Sequence, residues 1–295
     1  MNPQDGSLTE TVVRVMAYVL LAPLAGGLLA GLDRKVSAWM QGRVGPPVLQ
    51  PFYDVGKLLG KERIAVNRFQ NFFVFLFFLF MVFTGALFFA GTNLLLVVFA
   101  LTLACLFFVL AGFSVNSPYG HLGAERELIQ MMAYDPTLII LAVGLYVVTG
   151  SFNVGQIYHA SREGYLIVYL PGIFAAYLYV LTIKLRKSPF DLSMSHHPHQ
   201  ELVRGLSTEF SGPHLGLIEI THWYENILLL ALIYLFFAFN PLIGIGVALV
   251  AYFAEVFVDN AYARVKWQVM FASTWVFTIM AGVSNLIIVH HVLRR

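Results

Sequence analysis

The sequence predicts an all-α polytopic membrane protein of about eight transmembrane helices, and three observations carry that expectation. Hydrophobic residues make up 59% of the 295 and charged residues only 12%, against about a quarter charged in a soluble domain. Mean hydropathy is +0.75. The apolar residues also gather into runs near the roughly 20 residues that a helix needs to cross a bilayer.

The expected spans are residues 12–30, 72–90, 94–113, 128–148, 165–185, 218–239, 242–258 and 269–289. The first is read as a retained span and not a signal peptide, because only Arg14 precedes its apolar core and seven more spans follow. Gly91-Thr92-Asn93 and Asn240-Pro241 mark tight turns between helical hairpins. With no repeat and no low-complexity tract, residues 1–295 are expected to form a single integral membrane domain. Cys105, the one cysteine, can complete neither a disulfide nor an iron–sulfur site, so it is expected to be a small packing residue. Any redox cofactor then belongs to a partner subunit. A net charge of +2 says little by itself and calls for no nucleic-acid partner.

Orientation follows from where the cations fall. Loops 31–71, 114–127, 186–217 and 259–268 share one side and hold 13 of the 18 Lys and Arg residues; the other side holds four, Arg14, Arg162, Arg294 and Arg295. The positive-inside bias places those loops in the cytoplasm and both termini outside. The expected location is therefore the cytoplasmic membrane of a prokaryote, with the first three of these loops, carrying short amphipathic helices, facing a soluble partner.

Polar residues concentrate between Ser188 and Asn226, which holds five His and five carboxylates. Several acids must enter the membrane. The apolar part of span four is only residues 138–148, so completing it draws in Asp135, with Glu125 and Glu127 just before. Span six must likewise borrow Glu219, His222 and Glu225, and span seven ends with Glu255 and Asp259 one turn apart on one face. Ionisable groups at membrane depth are costly and usually line ion pathways. All lie in the half facing the basic loops, so the expected path is a half-channel that enters there and turns sideways toward a membrane partner. The alternative is that these acids are interfacial, balanced by Arg126, Arg204 and Arg264. Lys184 is expected to snorkel, or else to pair with an acid on span six or seven. His196, His197 and His199 are read as a solvated or proton-accepting cluster. Pro198 keeps them off a common helix face, and no metal site is expected. His290 and His291 read as outer interface residues.

Three blocks, at residues 42–58, 123–135 and 189–213, resemble the H-subunit family of respiratory complex I, which is the mitochondrial ND1 family of NADH dehydrogenase. Gly42-Arg43-Val44-Gly45-Pro46-Pro47 and Leu49-Gln50-Pro51-Phe52-Tyr53-Asp54, then Lys57-Leu58, are similar to its first loop. Gly123-Ala124-Glu125-Arg126-Glu127 with Tyr134-Asp135 resembles the approach to its fourth span. Pro189-Phe190-Asp191-Leu192, Glu201-Leu202-Val203-Arg204-Gly205 and Glu209-Phe210-Ser211-Gly212-Pro213 resemble its third signature. The family also includes the membrane anchors of energy-converting [NiFe] hydrogenases. Ser193–Gln200 is longer than the acidic stretch of the quinone branch and carries no carboxylate. That departure resembles the Ech-type hydrogenase membrane subunit, a relative of formate hydrogenlyase and membrane-bound hydrogenase.

The resemblance implies a non-catalytic membrane subunit of an ion-translocating oxidoreductase, with no cofactor of its own. The [NiFe] centre and iron–sulfur clusters are expected in partners: hydrogenase small and large subunits, a ferredoxin-like iron–sulfur subunit and an antiporter-like membrane subunit. Residue-wise match makes Glu125, Glu127, Asp135, Glu201, Glu209 and Glu219 ion-relay candidates, with Glu225 an alternative to Glu219. Glu255 and Asp259 join them from the reading of span seven. Arg43, Asp54, Lys57, Asp191, the three loop histidines and Arg204 are expected at the redox-arm interface. The competing expectations are a quinone-chamber subunit of an NADH:quinone oxidoreductase and a stand-alone ion transporter.

Overall fold

A computed structural model describes residues 8–62, 67–190, 192–193 and 205–293. Its helices are α1 (Leu8–Met40), α2 (Gln50–Leu59), α3 (Arg68–Phe89), α4 (Leu94–Phe113), α5 (Pro118–Thr149), α6 (Val154–Glu163), α7 (Leu166–Tyr169), α8 (Pro171–Lys184), α9 (Gly212–Phe236), α10 (Pro241–Ala261) and α11 (Trp267–Val292). Seven of these, α1, α3, α4, α5, α9, α10 and α11, are long and apolar enough to cross a membrane. The chain is thus an all-helical, polytopic membrane protein.

Local chemistry sets the helix ends. Asn93 opens α4 by accepting from the Leu95 amide at 2.9 Å, and Asn240 does the same for α10, followed by Pro241 at the first helical position. Ser117 and Pro118 begin α5, which closes on left-handed Gly150. On the far side from the acids, the turns around Asn93 and Asn153 pair through Leu94 N to Phe152 O and Val154 N to Thr92 O.

The structure revises three expected boundaries. At 33 residues α1 is about 50 Å long, so the helix continues past residue 30 and carries Asp33 and Arg34, which the sequence reading leaves in a loop. α5 begins at Pro118, so most of the expected 114–127 loop is helix. The fifth expected span is broken: α7 is one turn, and α8 starts afresh at Pro171 because a residue preceding proline is pushed out of the helical region. α8 has only 14 residues, and its last is Lys184.

α3 packs on α4 and α9, α1 on α9, and α5 on α4 and α8, which puts α5, α8 and α9 at the centre. Pro136 falls near mid-length in the continuous helix α5, where it removes one backbone donor from the ladder, and α11 widens into π-helical turns over Thr278–Val283. The two irregularities meet where the Thr137 and Thr278 hydroxyls hydrogen-bond at 2.6 Å. Two glycines permit close crossings. A Cβ on Gly26 of α1 would stand 2.5 Å from Trp223 O of α9, and one on Gly123 of α5 would stand 2.2 Å from the Leu206 amide nitrogen. Gly123→Val is expected to cost about 1–3 kcal/mol, read as a lower unfolding temperature of the detergent-solubilised protein.

Candidate functional site

Lys184, Arg186 and Lys187 leave the end of α8 in quick succession and enter two separate buried charge networks. In the first, Lys184 Nζ lies 2.9 Å from Glu225 Oε1, with both side chains 1% exposed or less. The same ammonium donates to Cys105 Sγ at 3.2 Å and Tyr134 OH at 3.3 Å. Arg186 spans two helices: Nη1 meets Glu225 Oε2 of α9 at 3.1 Å, and Nη2 meets Glu127 Oε1 of α5 at 3.0 Å. His222 Nδ1 completes the group, 3.2 Å from Arg186 and 3.3 Å from Glu225. Two cations therefore face two carboxylates, and the buried group is electrically balanced. Balance is what makes it tolerable, since an unpaired charge at this depth would be prohibitive.

Arg186 takes a left-handed conformation, φ 53°. A residue with a Cβ gives up about 1–2 kcal/mol there, and the pair of carboxylates holds it in place. The left-handed turn also aims Lys187 away from Arg186 into the second network. Its ammonium pairs with Asp33 of α1 and lies 3.4 Å from Asp259 Oδ2 of α10. The Ser188 amide donates to Asp259 Oδ1 at 2.8 Å. Glu255, buried one turn before Asp259, meets the Thr182 hydroxyl of α8.

The segment after Lys187 is stitched to both sides. Gln130 donates to Phe190 O at 2.6 Å, Arg126 donates to Leu192 O at 3.1 Å, and the Ser193 hydroxyl donates to the Glu127 carboxylate. Opposite, Val265 N donates to Pro189 O at 3.1 Å. A displacement of this segment therefore acts on Glu127 and Glu225 at one end and on Asp33 and Asp259 at the other.

A cavity of about 390 Å³ reaches from Arg43 past Glu219, Arg186 and His222 to Lys187 and Asp259. A second, of about 190 Å³, lies against α2 between Lys57 and Leu215. Arg34, Glu219 and Trp223 line both, so Glu219 stands where they adjoin. Arg34 pairs with Asp54 of α2 at 2.6 Å, and Gln50 donates to the same carboxyl at 3.0 Å. Partial burial alone would push Asp54 up, but the Arg34 and Gln50 hydrogen bonds and the charges of Arg34 and Lys57 outweigh it and hold the carboxyl below its ordinary range. This pairing clasps α2 against α1 at neutral pH.

The expected relay residues separate into groups. Glu127 and Glu225 are centres of the first network, Asp259 belongs to the second with Glu255 beside it, and Glu219 lines the cavities. Asp135 is half-buried and accepts from the Thr102 hydroxyl at 3.2 Å. Glu209 is half-buried, and its backbone carbonyl accepts from Gln70 at 3.2 Å. Glu125 is exposed and enters neither network, because it sits on the opposite face of α5 from Glu127. Asp191, His196, His197, His199, Glu201 and Arg204 lie outside the described residues. Arg43 is exposed at the cavity rim, hydrogen-bonded to Gln41.

Two expectations need correction. Lys184 does not snorkel: it is sealed against Glu225, the other course open to it. Cys105 is fully buried as expected, yet it is more than packing, since it accepts from that ammonium. Asp33, Arg186 and Lys187 were not singled out as site residues from the sequence. A signal existed, because acids placed at depth require cations close by, and the nearest run of them is Lys184 to Lys187.

A family model described as NADH dehydrogenase matches residues 13–290. Among known proteins, the chain is similar to the H subunit of NADH-quinone oxidoreductase from Brevibacillus brevis, 30% identical over 71% of this chain and 68% of that one. It is 29% identical to NADH-ubiquinone oxidoreductase chain 1 of Paracentrotus lividus, over 90% of each. Among solved structures, a chain of the membrane-bound sulfane sulfur reductase, an archaeal respiratory membrane complex, shares the fold with a TM-score of 0.83. That likeness covers 95% of this chain and 99% of the other at 24% identity.

Proposed function

The chain belongs to the NADH dehydrogenase family of H subunits and mitochondrial chain 1 proteins, and from that premise we propose that its two charge networks couple a redox partner to ion movement through the membrane. It is a membrane subunit of a complex I-like respiratory complex. The observation that carries the coupling role is Glu225, clasped by Lys184 and Arg186 at the wall of a cavity it does not itself line.

The proposed sequence of events starts at the segment after Lys187. A partner that moves this segment withdraws Arg186 from Glu127 and Glu225. Glu225 keeps Lys184, so the group is then short of one positive charge and must take up one compensating cation, a proton being the smallest, because Glu127 cannot stay charged and alone at that depth. Glu219, between the two cavities, is the supply route, and return of Arg186 displaces what was taken up. The redox chemistry itself takes place in partner subunits that hold the cofactors.

Within the family we assign the chain to the membrane subunit of an energy-converting [NiFe] hydrogenase of Ech type, joined to hydrogenase small and large subunits, a ferredoxin-like subunit and an antiporter-like subunit. The histidine-bearing stretch Ser193–Gln200, without a carboxylate, supports that branch. In the complex, Glu219→Gln is expected to lower hydrogen-linked ion transport at least tenfold while viologen-dependent hydrogenase activity in detergent stays near wild type. Equal loss of both activities would refute the relay. The second reading, a quinone-chamber subunit, is favoured by the cavity beside α2 and by the names of the relatives. A quinone-site inhibitor that stops turnover would select it.

A further inference from the structure

Asp135 is the half-buried acid at mid-membrane depth that belongs to neither network and lines neither cavity. It sits on the outer surface of the bundle between α4 and α5, half-buried, and among the described residues it accepts one hydrogen bond, from Thr102 to Oδ1. Its depth is fixed by that partner. Thr102 is the ninth residue of a 20-residue span, so it lies about 12 Å from one end of α4 and about 17 Å from the other. That is the middle of the bilayer. The surrounding face is apolar: Phe99, one turn before Thr102, is 59% exposed, and Met132, one turn before Asp135, is 58% exposed. No cation among the described residues forms an ion pair with Asp135; the charge of Lys184 acts on it only from a distance, and that ammonium is already committed to Glu225. A carboxylate left on such a face would stand against hydrocarbon at its least polar depth, which proteins avoid.

We infer that the α4–α5 face around Asp135 is a docking surface for a transmembrane helix of a neighbouring subunit that brings a lysine or arginine to mid-depth. Charge complementarity selects this occupant. A lipid headgroup cannot reach the middle of the bilayer. A second copy related by a two-fold axis would set Asp135 against Asp135. The face is also continuous with the first network, since Tyr134, the preceding residue, accepts the hydrogen bond of Lys184. The inference deepens the proposed function by naming where charge leaves the subunit sideways, and it rests on that reading for its purpose but not for its geometry.

The test uses the intact complex in native membranes. A photo-reactive amino acid replaces Met132 in one variant and Phe99 in another, and cross-linked peptides are sequenced by mass spectrometry. The expected product is one transmembrane peptide of a neighbouring subunit with a Lys or Arg within a turn of the cross-link. Asp135→Asn is expected to lower recovery of that subunit several-fold, with Asp135→Glu restoring it. Adducts to lipid alone, to a helix without a basic residue, or to a second copy of this chain would overturn the inference. So would labelling of Asp135 in the intact complex by a membrane-soluble carbodiimide, which marks a protonated acid facing lipid. The cross-link does not depend on transport. A basic cross-linked helix together with unchanged transport in Glu219→Gln would therefore sink the relay and leave the docking surface standing.

Discussion

Arg186→Ala is expected to remove the subunit from the membrane almost entirely. The guanidinium bridges Glu127 and Glu225 at 3.0 and 3.1 Å, and its loss leaves Glu127, among the described residues, with only the Ser193 hydroxyl. Breaking a buried pair by deleting one partner costs about 3–5 kcal/mol, a large share of the 5–15 kcal/mol that typically separates folded from unfolded protein. Quantifying the subunit in membranes and its unfolding temperature in detergent checks the result. Arg186→Gly distinguishes charge from backbone. It loses the same ion pairs but relaxes the left-handed φ of 53°, so it is expected to be about 1 kcal/mol milder than alanine. Alanine and glycine variants as stable as wild type would show that the network does not hold the fold.

The second large effect separates stability from coupling. Lys184→Met and Glu225→Met each leave the buried group with one unbalanced charge, and each is expected to lose about 3–5 kcal/mol. Combined, they restore neutrality with side chains of similar length, and a buried pair replaced by apolar residues is often neutral in stability. The double variant is thus expected to lie within about 1 kcal/mol of wild type, a strong non-additivity that a double-mutant cycle measures directly. Redox-driven ion transport is nevertheless expected to fall below a tenth in all three variants. A stable double variant that still transports would show that the pair is scaffolding.

Much of this arrangement is legible in the sequence, for identifiable reasons. Asp135, Glu225 and Glu255 announce themselves because each sits within or beside a run too apolar for a charge. α4 and α10 are visible through their asparagine caps and apolar length. What stays hidden is pairing at long separation. Asp33 and Lys187 are 154 residues apart, and nothing local ties them together. Glu125 and Glu127 look equivalent in the sequence, yet two residues along a helix is about 200° of rotation, so one is buried and the other solvated. The break before α8 is marked by Pro171, but a proline one turn into an apolar run also fits an unbroken span. Whether Lys184 reaches for water or for Glu225 depends on where α8 stops, which packing decides.

The shortness of α8 has an electrical consequence. Its 14 residues make an insulating layer about 21 Å thick above Lys184, against roughly 30 Å for an ordinary bilayer core. Where a water-filled cavity conducts up to the base of that layer, a transmembrane voltage drops across the thinner remainder, and the local field is about 1.4 times the usual one. Each elementary charge carried across 100 mV is worth about 2.3 kcal/mol. A charge moved across that layer would work against the voltage over about 21 Å, and under the proposed coupling that voltage would act as a brake on the redox partner.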